Sequence, residues 1–233
     1  MTAPGCGDPE ACPVPTPPGL VDARRLRLAT WPAERPFYRV YDVMRGYDEF
    51  NPGAGDTRFA PCVDGAAVPS LYGGESETVA LLESVFHDVA EGVRDRVIYE
   101  ASLRQRGLVH MRPPRLLRLL DLRDAALARI GLARHQLVTT TAAHYPCTRA
   151  WSVWLHRRRP GGIEPDGLAW HSRQAELAGR DAREAFLLFG DRAPAAPGAY
   201  QLVGPGVRNL VEGPGRVLVE EIAEQLDAVV VSG

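Results

Sequence analysis

Two arginines stand in sequence contexts that would bring positive charge close to a buried surface. Arg39 lies in a run of β-forming residues, where a period of two places it on the same face as Phe37 and Tyr41. Arg58 lies near the end of the stretch 50–59, whose asparagine, proline and glycines predict a loop. The chain contains no lysine, so an anion would have to be held by arginine or by backbone N–H groups. Both arginines are therefore candidates for holding an anion.

Glu83 is the carboxylate whose position on a predicted helix is most suggestive. The helix starts near Glu75–Glu77, after a Gly-Gly break, and is predicted to run to His87 or Val89. At 100° per residue its apolar residues form one sector, and Glu83 falls just past the edge of that sector. Taken alone, each of these charged residues also has an ordinary structural explanation, such as a strand-edge charge or an ion pair on a helix.

The cysteines give no metal-binding spacing. Cys6, Cys12, Cys62 and Cys147 include no C-x-x-C pair, and the first two lie in a Pro/Gly-rich segment expected to be loosely structured. His144 and Cys147 are separated by two residues and come nearest to the spacing of a ligand pair, but the sequence offers no second pair to complete a site. We therefore predict no metal site, with His144 half-buried and Cys147 a buried thiol.

Composition narrows the class of protein. The 233 residues are 45% hydrophobic and carry a net charge of -2, which favours one globular domain and gives no electrostatic case for binding nucleic acid. Neither a membrane span nor a secretory signal is visible, so we expect a cytoplasmic protein. The motifs of zinc metalloproteases, Rossmann dehydrogenases, α/β-hydrolases and P-loop NTPases are also missing from the sequence.

The pattern of elements predicts an α+β fold with a compact mixed-sheet core and flanking helices. Residues 1–35 are rich in proline and are expected to be a tail or extension, followed by one domain at 36–233. Strands are predicted at 37–43, 69–72, 108–111, 116–120, 168–170, 185–189 and 200–203, with a last apolar strand at the C-terminal end. Besides the helix of Glu83, helices are predicted near 95–106, 124–130, 148–155 and 217–226.

The segment from Phe37 to Asp88 resembles the RES family, whose members are toxins of bacterial toxin–antitoxin pairs that degrade NAD. The resemblance rests on Tyr38-Arg39-Val40, on Phe50-Asn51-Pro52 with Gly53, Gly55, Arg58 and Phe59, on Leu71-Tyr72, and on the helix from Glu77 to Asp88. A weaker similarity covers Asp166–Arg173. Together these motifs cover about 50 residues strongly and about 150 loosely.

The resemblance implies an active site made of Arg39, Arg58, Tyr72, Glu83 and Ser172, in a fold similar to that of the ADP-ribosyltransferases. NAD would be the substrate, and no cofactor is implied. The sequence departs from the family in having Val40 where a tyrosine is common, a long loop before Tyr72, and the N-terminal extension. Tyr41 could replace the missing tyrosine.

The residue types suit cleavage of the nicotinamide–ribose bond of NAD. Arginine is the best side chain for gripping the diphosphate, and Arg39 and Arg58 could do so. Nicotinamide leaves as a neutral base, so the single carboxylate of Glu83 suffices, whereas glycoside hydrolysis uses a pair. Tyr72 would bound the nicotinamide ring, and Ser172 would contact the amide, the ribose or the acceptor. In a strand, His171 would point away from Ser172, which argues against covalent catalysis.

Several functional alternatives remain open at the level of sequence. The acceptor could be water or inorganic phosphate; a protein acceptor would make the chain a protein ADP-ribosyltransferase, and loss of turnover would leave a non-catalytic NAD-binding module. The resemblance implies a cognate antitoxin with a helix-turn-helix region. The amphipathic region 217–231 could contribute to a homo-oligomer or simply close the core.

Overall fold

The protein is built around one eight-stranded mixed sheet. The computed structural model describes residues 3–18, 22–53, 57–63, 65–87, 96–181 and 183–232. In space the strands of the sheet follow the order β1-β8-β9-β10-β5-β2-β7-β11. Their bounds are β1 Leu28–Trp31, β2 Phe37–Asp42, β5 Ser70–Gly74, β7 Arg106–Arg112, β8 Leu117–Asp121, β9 Gly167–His171, β10 Glu184–Phe189 and β11 Gln201–Leu202. Neighbouring strands are antiparallel except for the parallel pair β8–β9.

Two short sheets lie beside the main one. β3 Cys62–Val63 and β4 Ala66–Ala67 form a small hairpin, and β6 Val97–Tyr99 pairs in parallel with β12 Val229–Val231. The second pair joins the middle of the chain to its C-terminal strand.

Helices cover one face of the main sheet. The α-helices are α1 Glu77–Leu82, α2 Glu100–Leu103, α3 Asp124–Arg129, α4 Tyr145–His156, α5 Arg173–Leu177 and α6 Gly213–Gln225. Short 3-10 helices occur at Ala23–Arg25, Arg134–Gln136, Ala142–His144 and Pro160–Gly162. No helix among the described residues is long and apolar enough to cross a membrane.

The central strand β10 shows why the sheet sits in the middle of the molecule. Its residues from Ala185 to Phe189 are all buried, because alternate side chains enter two different cores. Leu187 and Phe189 face the larger core under the helices. Phe186 and Leu188 face a smaller core on the other side, where Phe186 packs against Trp31 and Phe37. The predicted α+β fold with a mixed-sheet core is thereby confirmed.

The prediction of a helix near 95–106 is wrong for the residues that the structure describes, which begin at 96. Residues 97–99 are instead the strand β6, a single helical turn follows at 100–103, and β7 begins at Arg106. Gln105 has a φ of 61°, a left-handed conformation that no continuous helix through this segment could contain. Pairing with β12 therefore overrides the local helical pattern.

Helix α1 is shorter than predicted and ends at Leu82. The Ser84 hydroxyl donates to the carbonyl of Ala80 at 2.6 Å, and the N–H groups of Ser84 and Phe86, three and five residues on, both donate to the carbonyl of Leu81. These bonds compete with a further helical turn. Glu83 is therefore the C-cap residue of α1 and not a residue of its middle. The last part of the prediction, residues 88 and 89, lies outside the described residues.

The N-terminal segment packs against α4 although its composition predicts a loose tail. Val14 is buried, the indole of Trp151 donates to the carbonyl of Pro15 at 2.6 Å, and the indole of Trp154 donates to Pro18 at 2.8 Å. The two indole N–H groups of α4 thus bind backbone carbonyls of the N-terminal segment. Many residues of this segment are prolines, which have no N–H to pair with such carbonyls. β1 also belongs to the main sheet, so ordered structure begins well before residue 36.

Candidate active site

A cleft of about 620 Å³ opens where β2 and β5 separate. The two strands share one register pair, Tyr38 with Gly74, and beyond it Asn51 takes over the pairing with Ser70. Strand residues from both sides, including Val40 and Ser70, line the gap between them. The separation lets side chains from opposite faces of the sheet reach one cavity.

Gly74 is the residue that brings α1 to the edge of this cleft. A Cβ at Gly74 would lie 2.7 Å from the Val79 side chain and 2.8 Å from the backbone nitrogen of Ala80. Only glycine allows the helix to pack this closely on β5. The close approach fixes the end of α1, and with it Glu83, against the strand that carries Tyr72.

The structure brings together four of the five residues expected at the site. Arg39 from β2, Arg58 from the loop, Tyr72 from β5 and Glu83 from the end of α1 all line the cleft. Residues far apart in the chain therefore meet in one cavity.

Arg39 is a buried arginine that also holds the neighbouring loop. It is 7% exposed, and its guanidinium donates to the carbonyls of Tyr47 at 2.8 Å and Glu49 at 2.5 Å. Burial lowers the pKa of Arg39 to about 10, an effect opposed by the carboxylate of Asp48. The side chain stays charged at neutral pH, but part of its hydrogen-bonding capacity serves the fold.

Arg58 is held against the start of α4. Its Nη2 donates to the carbonyl of Thr140 at 2.9 Å, and its guanidinium carbon lies 5.4 Å from the centre of the Tyr145 ring. The Thr148 hydroxyl donates to the backbone carbonyl of Arg58 at 2.7 Å. The Nε atom is buried without a hydrogen-bond partner among the described residues. Arg58 therefore brings its positive charge to the cleft, where it could attract a bound anion.

Glu83 is oriented by Trp170. The indole Nε1 of Trp170 donates to Glu83 Oε2 at 3.2 Å. The tryptophan is itself fixed, because its ring packs against Phe59 at 5.1 Å and edge-on against Tyr72 at 6.1 Å between centroids. A carboxylate at the C-terminal end of a helix gains nothing from the helix dipole, so this hydrogen bond is the contact that positions it.

Tyr72 forms part of an aromatic wall. Burial raises the pKa of Tyr72 to about 12, and its hydroxyl oxygen accepts a long bond of 3.4 Å from the backbone N–H of Phe59. The phenol is therefore neutral at physiological pH and cannot serve there as a base.

Ser172 does not line the cleft. Its side chain is 0% exposed and caps α5, accepting a hydrogen bond from the Ala175 N–H at 3.2 Å. It follows β9 and is not a residue of that strand, so the predicted opposite orientation of His171 and Ser172 within a strand does not apply. The connection of Ser172 to the cleft is indirect. It caps α5, and Gln174 of that helix donates to the backbone carbonyl of His87, which lines the cleft.

Sequence reasoning missed several residues of the cleft. Trp170 lines the cleft, but in the sequence it lies within a predicted strand and in the segment Asp166–Arg173, and nothing there marks it as a site residue. Arg45, Arg106 and Tyr145 also line the cleft, and no spacing in the sequence distinguishes them from surface or core residues. Arg39, Arg45, Arg58 and Arg106 together give the cleft four positive side chains against three carboxylates, those of Asp42, Glu49 and Glu83.

These features define an α+β protein with an arginine-rich cleft in which a tryptophan N–H holds the carboxylate of Glu83. The chain belongs to the RES domain family, whose model matches residues 29–207, and the resemblance seen in the sequence is confirmed. No curated protein sequence matches the chain.

Comparison with solved structures supports the fold. The chain is similar to a chain in the crystal structure of the M. tuberculosis MbcT–MbcA toxin–antitoxin complex, with a TM-score of 0.53 and 17% sequence identity. The similarity covers 85% of this chain and 93% of the other. At this level of identity the two chains share their fold.

Proposed function

We propose that the protein degrades NAD by cleaving the bond between nicotinamide and ribose. The observation that carries the proposal is the meeting of Arg39, Arg58, Tyr72 and Glu83 in one cleft, with the Glu83 carboxylate held by Trp170. The volume of the cleft, about 620 Å³, lies in the range usual for small-molecule sites. Membership of the RES domain family adds support.

Glu83 is the residue proposed to act on the reacting sugar. Nicotinamide in NAD already carries positive charge and departs neutral, so the reaction needs no general acid. The carboxylate stabilises the positive charge that develops on the ribose, and a preorganised contact of this kind contributes about 3 kcal/mol. The Trp170 N–H keeps the carboxylate in place without neutralising it.

The arginines are proposed to bind the diphosphate. Guanidinium groups give planar, two-point contact with phosphate oxygens, and this chain has no lysine to share the task. Arg58 lines the cleft with one donor bound to the Thr140 carbonyl, whereas two donors of Arg39 are already bound to backbone carbonyls. Arg45 and Arg106, which also line the cleft, add positive charge.

The acceptor is proposed to be water or inorganic phosphate. Mixing the purified protein with NAD, with and without phosphate, and identifying the products by mass tests this directly. Nicotinamide with ADP-ribose indicates a glycohydrolase, and nicotinamide with a phosphorylated ADP-ribose indicates a phosphorylase. Label from NAD on protein in a lysate would indicate a protein ADP-ribosyltransferase. NAD that raises the Tm and stays intact would indicate a binding module and contradict the proposal.

We further infer that the protein is a cytoplasmic toxin restrained by an antitoxin, which the family implies to have a helix-turn-helix region. The structural similarity to a chain of a toxin–antitoxin complex supports this inference. An enzyme that consumes NAD must be restrained in its own cell, and a partner that covers the cleft would do so. Induced expression in bacteria should stop growth, whereas expression of Glu83→Gln at the same level should not. Equal growth of both cultures would contradict the inference.

A further inference from the structure

A cluster of sulfur and nitrogen ligands lies outside the cleft, where the N-terminal segment meets the start of α4. The segment supplies Cys6 and Cys12, and the other two residues are His144, which precedes α4, and Cys147 in its first turn. Residues more than 130 positions apart in the sequence therefore bring four potential ligands together.

Two distances within the cluster match edges of a tetrahedral metal site, and Cys147 adjoins the other three ligands through Cys12. Cys6 Sγ lies 3.6 Å from His144 Nδ1, and Cys12 Sγ lies 3.7 Å from Cys147 Sγ. The ligand atoms of Cys6, Cys12 and His144 all lie within 4.8 Å of one another. Zinc bonds of ~2.3 Å to sulfur and ~2.0 Å to nitrogen imply edges of ~3.8 Å between two sulfurs and ~3.5 Å between sulfur and nitrogen. A disulfide would require sulfurs ~2.05 Å apart.

The backbone around Cys6 is shaped to place its sulfur against His144. Gly5 has a φ of 82°, and the N–H of Gly7 donates to the carbonyl of Ala143 at 2.8 Å. A Cβ at Gly7 would lie 3.2 Å from the Ala143 side chain, so glycine suits this approach.

We propose that Cys6, Cys12, His144 and Cys147 form a structural Zn²⁺ site. Three thiolates and one imidazole suit zinc, whereas Mg²⁺ and Ca²⁺ prefer oxygen ligands. Four protein ligands fill a tetrahedral shell and leave no position for substrate, so the ion is structural. On binding, the three thiols release their protons to solvent and the imidazole binds through its Nδ1 lone pair. This proposal departs from the sequence-based expectation that the chain has no metal site.

The site would connect the N-terminal segment to the cleft. Two of its ligands, His144 and Cys147, flank Tyr145, which lines the cleft and contacts Arg58. The ion would therefore hold the first turn of α4 in place, together with the tryptophan bonds to Pro15 and Pro18 farther along the helix. The proposal stands independently of the NAD reaction, because it concerns metal binding alone.

Metal content of the full-length protein is the test. The protein is purified without chelator under reducing conditions, incubated with Zn²⁺, desalted and analysed for zinc by mass spectrometry. Wild type and Cys62→Ser should each retain about one zinc ion per chain, because Cys62→Ser removes a thiol from the chain but none of the four ligands. Cys6→Ser and Cys147→Ser should retain less than a tenth of that amount.

Two further measurements keep the test decisive where a variant folds poorly. Co²⁺ added to the wild-type protein should produce the visible absorption of a tetrahedral thiolate site, and Zn²⁺ should abolish it. A strong chelator should lower the Tm of the wild type by about 5 °C or more, since zinc binding is coupled to folding. Wild type that retains no zinc after incubation, or that carries a disulfide among these cysteines in place of the metal, would overturn the proposal.

Discussion

Trp170 donates its indole N–H to Glu83 Oε2 at 3.2 Å, and this bond joins strand β9 to the end of helix α1 across the cleft. The tryptophan ring is buried between Phe59 and Tyr72, so its N–H has little freedom to turn away. Orientation of the carboxylate is thus built into the core of the domain.

Replacement of Trp170 by phenylalanine should slow NAD cleavage. Trp170→Phe keeps an aromatic ring and removes the donor to Glu83, so we expect kcat to fall about 10-fold, the equivalent of one hydrogen bond to a charged group. Steady-state rates of NAD loss measure the effect. Trp154→Phe is the matched control and should leave kcat unchanged, because the indole N–H that it removes donates to the carbonyl of Pro18 and not to Glu83. Equal rates for the two variants would argue against a positioning role for Trp170.

Ser172→Ala should reduce stability and preserve cleavage. Its hydroxyl caps α5 in a fully buried position, and loss of such a cap costs about 1 kcal/mol of the free energy of unfolding. Urea unfolding measures that loss, and kcat measured well below the Tm should stay within about threefold of wild type. A drop of a hundredfold or more with the fold intact would instead support the direct role that the family resemblance implies.

Arg39→Ala should unfold more easily than Arg45→Ala. Removal of Arg39 leaves the carbonyls of Tyr47 and Glu49 without their donor and takes the positive charge away from buried Asp48, a loss of about 3 kcal/mol. Both arginines line the cleft, but Arg45 is exposed, so its replacement should lower the free energy of unfolding by less than about 0.5 kcal/mol. Equal urea midpoints for the two variants would show that Arg39 is not needed for the fold.

The sequence predicts the strands well because their side chains alternate or are continuously apolar. β2, β9 and β10 lie within one residue of their predicted bounds, and α4 extends the predicted helix at both ends. The prediction of a helix near 95–106 fails because the segment contains the strand β6, which pairs with residues more than 120 positions away. Local pattern carries no information about such a partner.

The candidate site is predicted in part for a similar reason. Arg39, Arg58, Tyr72 and Glu83 belong to motifs of consecutive residues, and the structure gathers them in one cleft. Trp170 and Arg106 reach the same cleft only through the order of strands in the sheet, which spacing does not reveal. The cysteine cluster was missed because the hydrogen bonds between α4 tryptophans and proline carbonyls, which dock the N-terminal segment, leave no periodic signal.

Acid should destabilise the fold through His156 in α4. Its Nδ1 faces an Arg192 N–H at 3.1 Å and its Nε2 faces Asp191 at 3.0 Å, so the imidazole is neutral, with Nδ1 as acceptor. Burial, aided by Arg192, lowers the pKa of His156 below its ordinary 6.5. The unfolded chain therefore binds the proton more readily, and stability is lost as pH falls below that ordinary value.

Urea unfolding at about pH 7.5 and about pH 5.5 measures this loss. His156→Gln should show a smaller difference between the two pH values than wild type. His135→Gln, which changes an exposed histidine, should keep the full difference. The same pH dependence in all three proteins would exclude His156 as its source.

The rate of nicotinamide release from NAD by Glu83→Gln, compared with Glu77→Gln, tests the central claim most directly. Both substitutions remove one negative charge from the same short segment, but only Glu83 lines the cleft and accepts the Trp170 N–H. We predict that Glu83→Gln loses at least a hundredfold in kcat, in keeping with the loss of about 3 kcal/mol of transition-state stabilisation, while Glu77→Gln matches wild type. Nicotinamide release by folded Glu83→Gln at the wild-type rate would contradict the account.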